Sequence, residues 1–378
     1  MSVHYDDQRG TWFFTRRAHG RQVRRRGFPT EESAIRAEER FIVELERSSR
    51  VTSPRRLTFG TYLVERWLPA LAADPSRKPK TIAGYEGIAR THLVRRLGSI
   101  KLTELAGDHL TTLYGELRAE GRSERTVRFV HTTAHLALKD AVRWRLVGYN
   151  AAADATAPAQ TPPRPKAWTP EQVRGFLEVA EGDRWWPLWR LVATTGMRRG
   201  ELAGLRWVDV DLDGAELVVA ENRVVVNHEV ITGTPKGGRA RRIGLDPTTV
   251  EVLRTWRRQQ LAERLVIGPY WPDTDLVFVW PDGSPVHPNV ITRTFNRIRD
   301  RASLPPMRLH NLRHAWATTA LLGRVDIKVV SERLGHSSTR ITHDIYTASV
   351  PALDAAAANL VADLYDRPRG NTGGNTEA

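Results

Sequence analysis

Apolar positions along the chain change their spacing several times, and each change marks an element. Near the start, Trp12-Phe13-Phe14 and Arg21-Gln22-Val23 read as short strands on either side of a His19-Gly20 turn. Thr30 then has the side chain of a helix cap, and Glu31 and Glu32 follow in the first turn, where negative charge is favoured. Ala34, Ala37, Phe41, Ile42 and Leu45 continue at helical spacing and predict one apolar face. After a linker over 48–56, the pattern is helical up to residue 150, with helices predicted over 62–71, 81–97, 108–120 and 123–146. Alanine and proline dominate the next stretch, including Pro158, Pro162, Pro163 and Pro165, which predicts a semi-extended connector over 151–167.

Beyond it, Thr169-Pro170-Glu171-Gln172 is a helix start, with a threonine cap, proline at the first position and an acid in the first turn. Between 214 and 245 the period shortens to two, and Leu217-Val218-Val219 and Val224-Val225-Val226 read as strands. Helices return from Pro247, and Pro351 opens an alanine-rich one with Leu353, Ala356, Leu360 and Leu364 at helical spacing. Residues 367–378 are polar and glycine-rich and read as a disordered tail. The expectation is an α+β protein, mostly helical. Its parts are a small sheet-and-helix unit at 1–50, a helical unit at 57–150, the linker, and a mixed α/β unit at 168–366.

Charge narrows the partner. The 378 residues carry 57 Lys and Arg against 43 Asp and Glu, a net charge of +14, mostly through arginine. A planar guanidinium bonds two phosphate oxygens at once, so the excess points to a polyanion. It is also localised. Seven arginines and no acid lie between Arg9 and Arg26, and seven basic residues face the single acid Glu86 between Arg77 and Lys101. Both clusters suit a nucleic-acid backbone. The chain has no cysteine, which excludes disulfides, thiolate metal sites and cysteine nucleophiles. No signal pattern opens the sequence and no apolar run is long enough to span a bilayer, so the chain reads as soluble and cytoplasmic, without a membrane partner.

Candidate chemistry gathers in the last half. In Thr195-Gly196-Met197-Arg198-Arg199-Gly200-Glu201, Arg198 opens a helical pattern and Glu201 lies one turn on, placed to hold its guanidinium. A surface pair at a helix start would look the same. Lys236 sits in a glycine-rich loop between strands, Thr234-Pro235-Lys236-Gly237-Gly238, where a solvated hairpin lysine would also serve. In His310-Asn311-Leu312-Arg313-His314 a helix would present His310, Arg313 and His314 on one face, with Leu309, Leu312 and Trp316 opposite. A zinc pair is disfavoured there, because no glutamate stands beside the first histidine and no cysteine exists. Asp209-Val210-Asp211-Leu212-Asp213-Gly214 imitates half a calcium loop, but Ala220 stands where the bidentate glutamate is needed. His336, after Leu334-Gly335, falls on a predicted turn, and Tyr346 follows ten residues later. A phenol ionises near pH 10 and attacks poorly unless cations surround its target. Two arginines, two histidines and a late tyrosine are what a covalent attack on a phosphodiester needs.

These motifs, in this order and spacing, resemble the catalytic domain of the tyrosine recombinases, the phage integrase family. Residues 57–150 resemble that family's core-binding domain, and 1–50 its three-stranded arm-binding domain. Gly237 and Gly244 depart from the threonine and proline common in the family. The resemblance implies that Tyr346 attacks the scissile phosphate to give a 3′-phosphotyrosyl link, and that Arg198 and Arg313 clamp the non-bridging oxygens. It implies Lys236 as the acid for the leaving 5′-oxygen, His310 in acid–base support and His336 as a hydrogen-bond donor to the phosphate. No cofactor is implied, because the covalent link conserves the bond energy without ATP or metal. The implied partners are double-stranded DNA, three further copies of the chain in a tetramer on that DNA, and accessory proteins that bend DNA or set direction. In that assembly the helix after Pro351 would dock on a neighbour, and Tyr365 at its end is the rival nucleophile. The competing functions are relaxation of supercoils by a related type IB topoisomerase, and DNA binding without catalysis.

Overall fold

The computed structural model describes residues 3–18, 21–49, 56–158, 167–235 and 237–335, together with Ala362. The chain divides into two compact units, Met1–Pro162 and Pro163–Ala378.

The first unit opens with an antiparallel sheet in sequential order, Val3–Asp6, Thr11–Ala18 and Arg21–Phe28. The second and third strands are those the aromatic and arginine clusters predict. The first, four residues long with its two central residues His4 and Tyr5 exposed, is too short and polar for its pattern to stand out. Phe14 is fully buried, stacked on Phe28 at a centroid distance of 5.9 Å and packed against the tilted ring of Phe41 at 5.6 Å. Helix Glu31–Ser49 starts at Thr30, whose hydroxyl accepts from the Ser33 amide at 3.2 Å. Its apolar face is narrower than the spacing predicts. Ala34 is fully buried but Ala37, Phe41 and Ile42 only half so, while Glu38 lies buried and takes the Arg16 guanidinium at 2.5 Å. On the sheet, the Arg24 guanidinium lies 3.8 Å from the centre of the Phe13 ring, a stack that leaves the donors at its rim available.

Residues 56–158 form a helical body around Tyr62, Trp67, Leu93, Leu110, Tyr114, Val130 and Leu138, all at most 1 % exposed. The helix predicted over 62–71 runs from Phe59–Thr61 through a π-helical turn, Tyr62–Trp67, into Leu68–Ala72. The next repeats this: Pro79–Ile88, a π turn at Ala89–Val94, then Arg95–Leu97. Gly107–Ala119 and Glu124–Arg143 match the other two expectations, the second with Ser123 as cap. Buried polar atoms are satisfied across the body: the Tyr62 hydroxyl donates to the Ala137 carbonyl at 2.6 Å and the Trp67 indole to Asp140 at 3.0 Å. One expectation needs correction. The start of the connector is not extended: Ala151–Asp154 form a helical turn capped by Asn150, and Ala151 and Ala152 join the core. Alanine is the strongest helix former, and the prolines that would stop it come later.

The second unit is built on an aromatic core of Trp168, Phe176, Trp189 and Phe295. These rings come from helices Pro170–Ala180, Trp186–Thr195 and Pro288–Arg301, and from Trp168, two residues before the first of them. The predicted start at Thr169 holds as a capping box with Gln172. The strand region gives two small antiparallel sheets, Val210–Asp211 with Glu216–Val219 and Arg241–Gly244, and Asn222–Val226 with Glu229–Gly233. Helices Pro247–Ile267, Asn311–Leu322 and Ile327–Leu334 complete the described part. The expected helix after Pro351, apart from the helical Ala362, and the expected tail lie outside the described residues. Among the described residues, no helix is long and apolar enough to cross a membrane.

Candidate active site

Helix Trp186–Thr195 ends at Gly196, whose left-handed conformation (φ 65°) turns the chain sharply. A Cβ on Gly196 would lie 2.7 Å from Leu334 Cδ2, so both backbone and space demand glycine here. The turn delivers Arg198 to the cap position of the short helix Arg199–Ala203. Glu201, 1 % exposed, receives the Arg198 amide at 2.8 Å and the Arg198 guanidinium at 2.8 Å. The predicted pair is therefore a buried strut. Arg199 faces away, donating to Asn289 and Thr292 at 3.2 and 2.9 Å.

Arg313 reaches the same place from helix Asn311–Leu322. Only 3 % exposed, it donates to the Gly196 carbonyl at 2.9 Å and to the Leu334 carbonyl. Arg198 donates to that same Leu334 oxygen at 3.5 Å and to the Gly335 carbonyl at 3.2 Å. Two guanidiniums far apart in sequence thus converge on one oxygen. The amphipathic split expected for this helix does not hold, since Arg313 is buried as deeply as Leu309 and Leu312. Carbonyls at the ends of two other helices take up its donors, which makes the burial tolerable.

His310 stands at the cap position before this helix, exposed, with its ring 5.4 Å from that of His314 in an edge-on arrangement. His314 is half-buried, and its Nδ1 has no hydrogen-bond partner among the described residues. Burial first, and then Arg313 beside it, lower its pKa, which keeps the imidazole neutral. Lys236, His336 and Tyr346 lie outside the described residues. Gly335, immediately before His336, ends helix Ile327–Leu334 in the left-handed conformation (φ 61°), as a turn glycine should.

One site residue escapes the sequence reading. Arg241 donates to both Glu201 oxygens, at 3.0 and 2.7 Å, and its side chain is 10 % exposed. Strand alternation is the signal that could have found it: Ile243 is buried against Leu217, so Arg241, two residues earlier, shares the inward face. Three guanidiniums, Arg198, Arg241 and Arg313, now surround the single carboxylate of Glu201. Burial would raise the Glu201 pKa, but Arg241 and then Arg198 outweigh it and hold the value at about 2. Burial, and then repulsion from Arg198, bring Arg313 down to about 9, so it is still charged at neutral pH.

The depressed Glu201 pKa predicts an acid dependence. Its ionised form adds stability that is fully present above the ordinary value of 4.5 and is lost as pH falls towards about 2, worth roughly 3 kcal/mol by linkage. Urea unfolding between about pH 5 and pH 2.5 should therefore show a shallower acid loss in Glu201→Gln than in wild type. Equal slopes would mean that the arginines do not hold this carboxylate.

This geometry can grip an oxyanion between two converging guanidiniums. The phage integrase family model matches residues 168–352, a span that contains every residue of the cluster. The tyrosine recombinase XerC of Mesorhizobium japonicum is 31% identical over 297 residues, covering 75% of this chain and 89% of that protein. An integrase of Streptomyces ambofaciens is 25% identical over 377 residues, covering 97% and 96%. In fold, a lambda integrase tetramer bound to a Holliday junction matches with a TM-score of 0.61 at 18% identity, over 91% of this chain and 94% of that one. The chain belongs to the phage integrase family, the tyrosine recombinases.

Proposed function

We propose that the chain is a site-specific DNA recombinase of a phage or other integrative element, and that Tyr346 cuts and rejoins duplex DNA through a 3′-phosphotyrosyl link. The observation that carries the mechanism is the convergence of Arg198 and Arg313 on the Leu334 carbonyl oxygen. Donors that meet on one oxygen can also meet on two oxygens of one phosphate, where negative charge grows as the phenol attacks. The phenolic oxygen bonds to phosphorus and the 5′-oxygen leaves, taking a proton from Lys236. His310 supports proton transfer near the tyrosine, and His336 donates to the phosphate. The reverse attack by a new 5′-hydroxyl rejoins the strand and frees the tyrosine.

Recombination is favoured over simple relaxation by the relatives, which carry the names recombinase and integrase. The arginine-rich sheet of residues 3–28 also favours it, because a second DNA-binding surface has little use in relaxing a supercoil. The lambda relative is a tetramer on its DNA. We read the present chain likewise as a tetramer on duplex DNA, assisted by accessory proteins that bend DNA or set direction, and acting in the cytoplasm.

A suicide substrate tests this reading. Duplexes taken from the repeats that bound the element are nicked just beyond the cleavage point, so that the short fragment diffuses away. The wild-type chain should become attached, resistant to detergent, to the new 3′ end, in EDTA and without nucleotide. Release of the strand with no attached protein would overturn it.

A further inference from the structure

The mechanism leaves Arg241 without a task, although all three of its guanidinium nitrogens are bonded within the cluster. It lies on strand Arg241–Gly244, on the inward face with Ile243. Its two terminal nitrogens take one Glu201 oxygen each, at 3.0 and 2.7 Å, while its Nε donates to the Arg333 carbonyl at 2.8 Å. Glu201 spends its remaining capacity on Arg198, once through the amide and once through the guanidinium. The Arg241 stem passes so close to the helix end that a Cβ on Gly335 would lie 3.0 Å from its Cδ. We propose that Arg241 is a positioning residue of the phosphate clamp: it fixes the Glu201 carboxylate that aims Arg198, and it seats the chain leading to His336 against that carboxylate.

The argument is one of competing donors. Two carboxylate oxygens buried to 1 % need several donors to stay ionised. Among the described residues, the charged groups that face Glu201 are Arg198 from the helix cap, Arg241 from the strand and Arg313 from helix Asn311–Leu322. Arg313 spends its bonds on carbonyls. Without Arg241 the carboxylate keeps only Arg198, and burial then pushes its pKa upwards. A protonated Glu201 no longer holds the Arg198 guanidinium at the angle at which it meets Arg313. Arg241 therefore acts through Glu201 and need not touch DNA.

Arg333 supplies the control. It fastens the same strand to the same helix, donating to the Gly244 carbonyl at 2.8 Å, without bonding Glu201. The inference rests on the recombinase reading, and the test separates the two. Full-length wild type, Arg241→Met, Arg241→Lys, Arg333→Ala and the double variant Arg241→Met/Glu201→Gln are compared for DNA binding and for single-turnover cleavage of the nicked substrate between about pH 5.5 and 8.5. Arg241→Met should bind within about threefold of wild type and cleave about 100-fold slower at neutral pH. It should lose roughly tenfold more towards the acid end, as Glu201 takes up a proton. Arg241→Lys should fall in between. Arg333→Ala should melt earlier with the wild-type pH profile, and the double variant should show no acid limb. The inference fails if Arg241→Met keeps the wild-type profile, or if Arg333→Ala acquires the same acid limb. A wild type that never attaches to DNA would instead sink the recombinase reading.

Discussion

Tyr346→Phe should bind its DNA site as wild type does and form no covalent adduct. The substitution removes one oxygen and keeps the ring, so whatever packs against that ring still packs. What disappears is the oxygen proposed to bond to phosphorus. A phenol of ordinary pKa near 10 is seldom ionised at neutral pH, and its attack becomes useful because the clamp stabilises the charge that develops. With the nucleophile gone the clamp has no reaction to stabilise, and strand cleavage should fall at least about 10⁵-fold, below detection in the nicked-substrate assay. Denaturing gels measure the adduct, and a mobility shift measures binding in the same samples. An adduct surviving in Tyr346→Phe would move the nucleophile elsewhere. Tyr365 would be tested next, by the corresponding change to phenylalanine.

Arg313→Ala should be the next most damaging change, with cleavage about 10³-fold slower, since a single donor to a developing oxyanion is worth about 10²–10³ and this side chain brings a fork of them. It should also be less stable. The guanidinium is 3 % exposed and satisfies the carbonyls of Gly196 and Leu334. The alanine leaves the buried Gly196 carbonyl unpaired, at about 1–3 kcal/mol, while the Leu334 oxygen keeps its 3.5 Å bond from Arg198. A slow variant could therefore be a partly unfolded one. Arg313→Lys separates the effects: it restores charge and one donor but cannot bond two oxygens in one plane. Lysine should recover most of the melting temperature and little of the rate. If Arg313→Lys cleaved like wild type, a point charge would suffice and the bidentate clamp would be the wrong description.

How much of this is legible in the sequence depends on the range over which each feature is decided. Thr169, Ser123 and Thr30 are settled by bonds across three or four residues, and the helices they begin lie where expected. Arg198 with Glu201 belongs to the same class, one turn of helix apart. Arg241 does not. Its partner is forty positions away, joined only by the folding of the strand region, and a charged residue beside Arg242 looks like any exposed pair. Arg242 does face solvent, with its side chain 73% exposed, and the alternation that separates the two is visible only once Ile243 is known to point inwards. The helical turn Ala151–Asp154 was obscured by the prolines after it, and the π turns leave no mark on apolar spacing at all. Lys236, His336 and Tyr346 rest on motif order alone, since they lie outside the described residues.

The surplus of guanidinium over carboxylate around Glu201 has a consequence for how such a protein tolerates change. Three buried or half-buried cations share one anion, and only carbonyl dipoles make up part of the difference. Free of DNA, the folded chain carries a local repulsion that the unfolded chain does not. A neutral side chain that fills the same space and leaves no buried carbonyl or carboxylate unpaired would relieve it, raising the melting point while abolishing the reaction. Selection for thermal robustness alone would therefore erode this corner first. Selection for activity has to preserve a strain that only a bound polyanion removes, so the complex with DNA is the state for which these side chains are optimised.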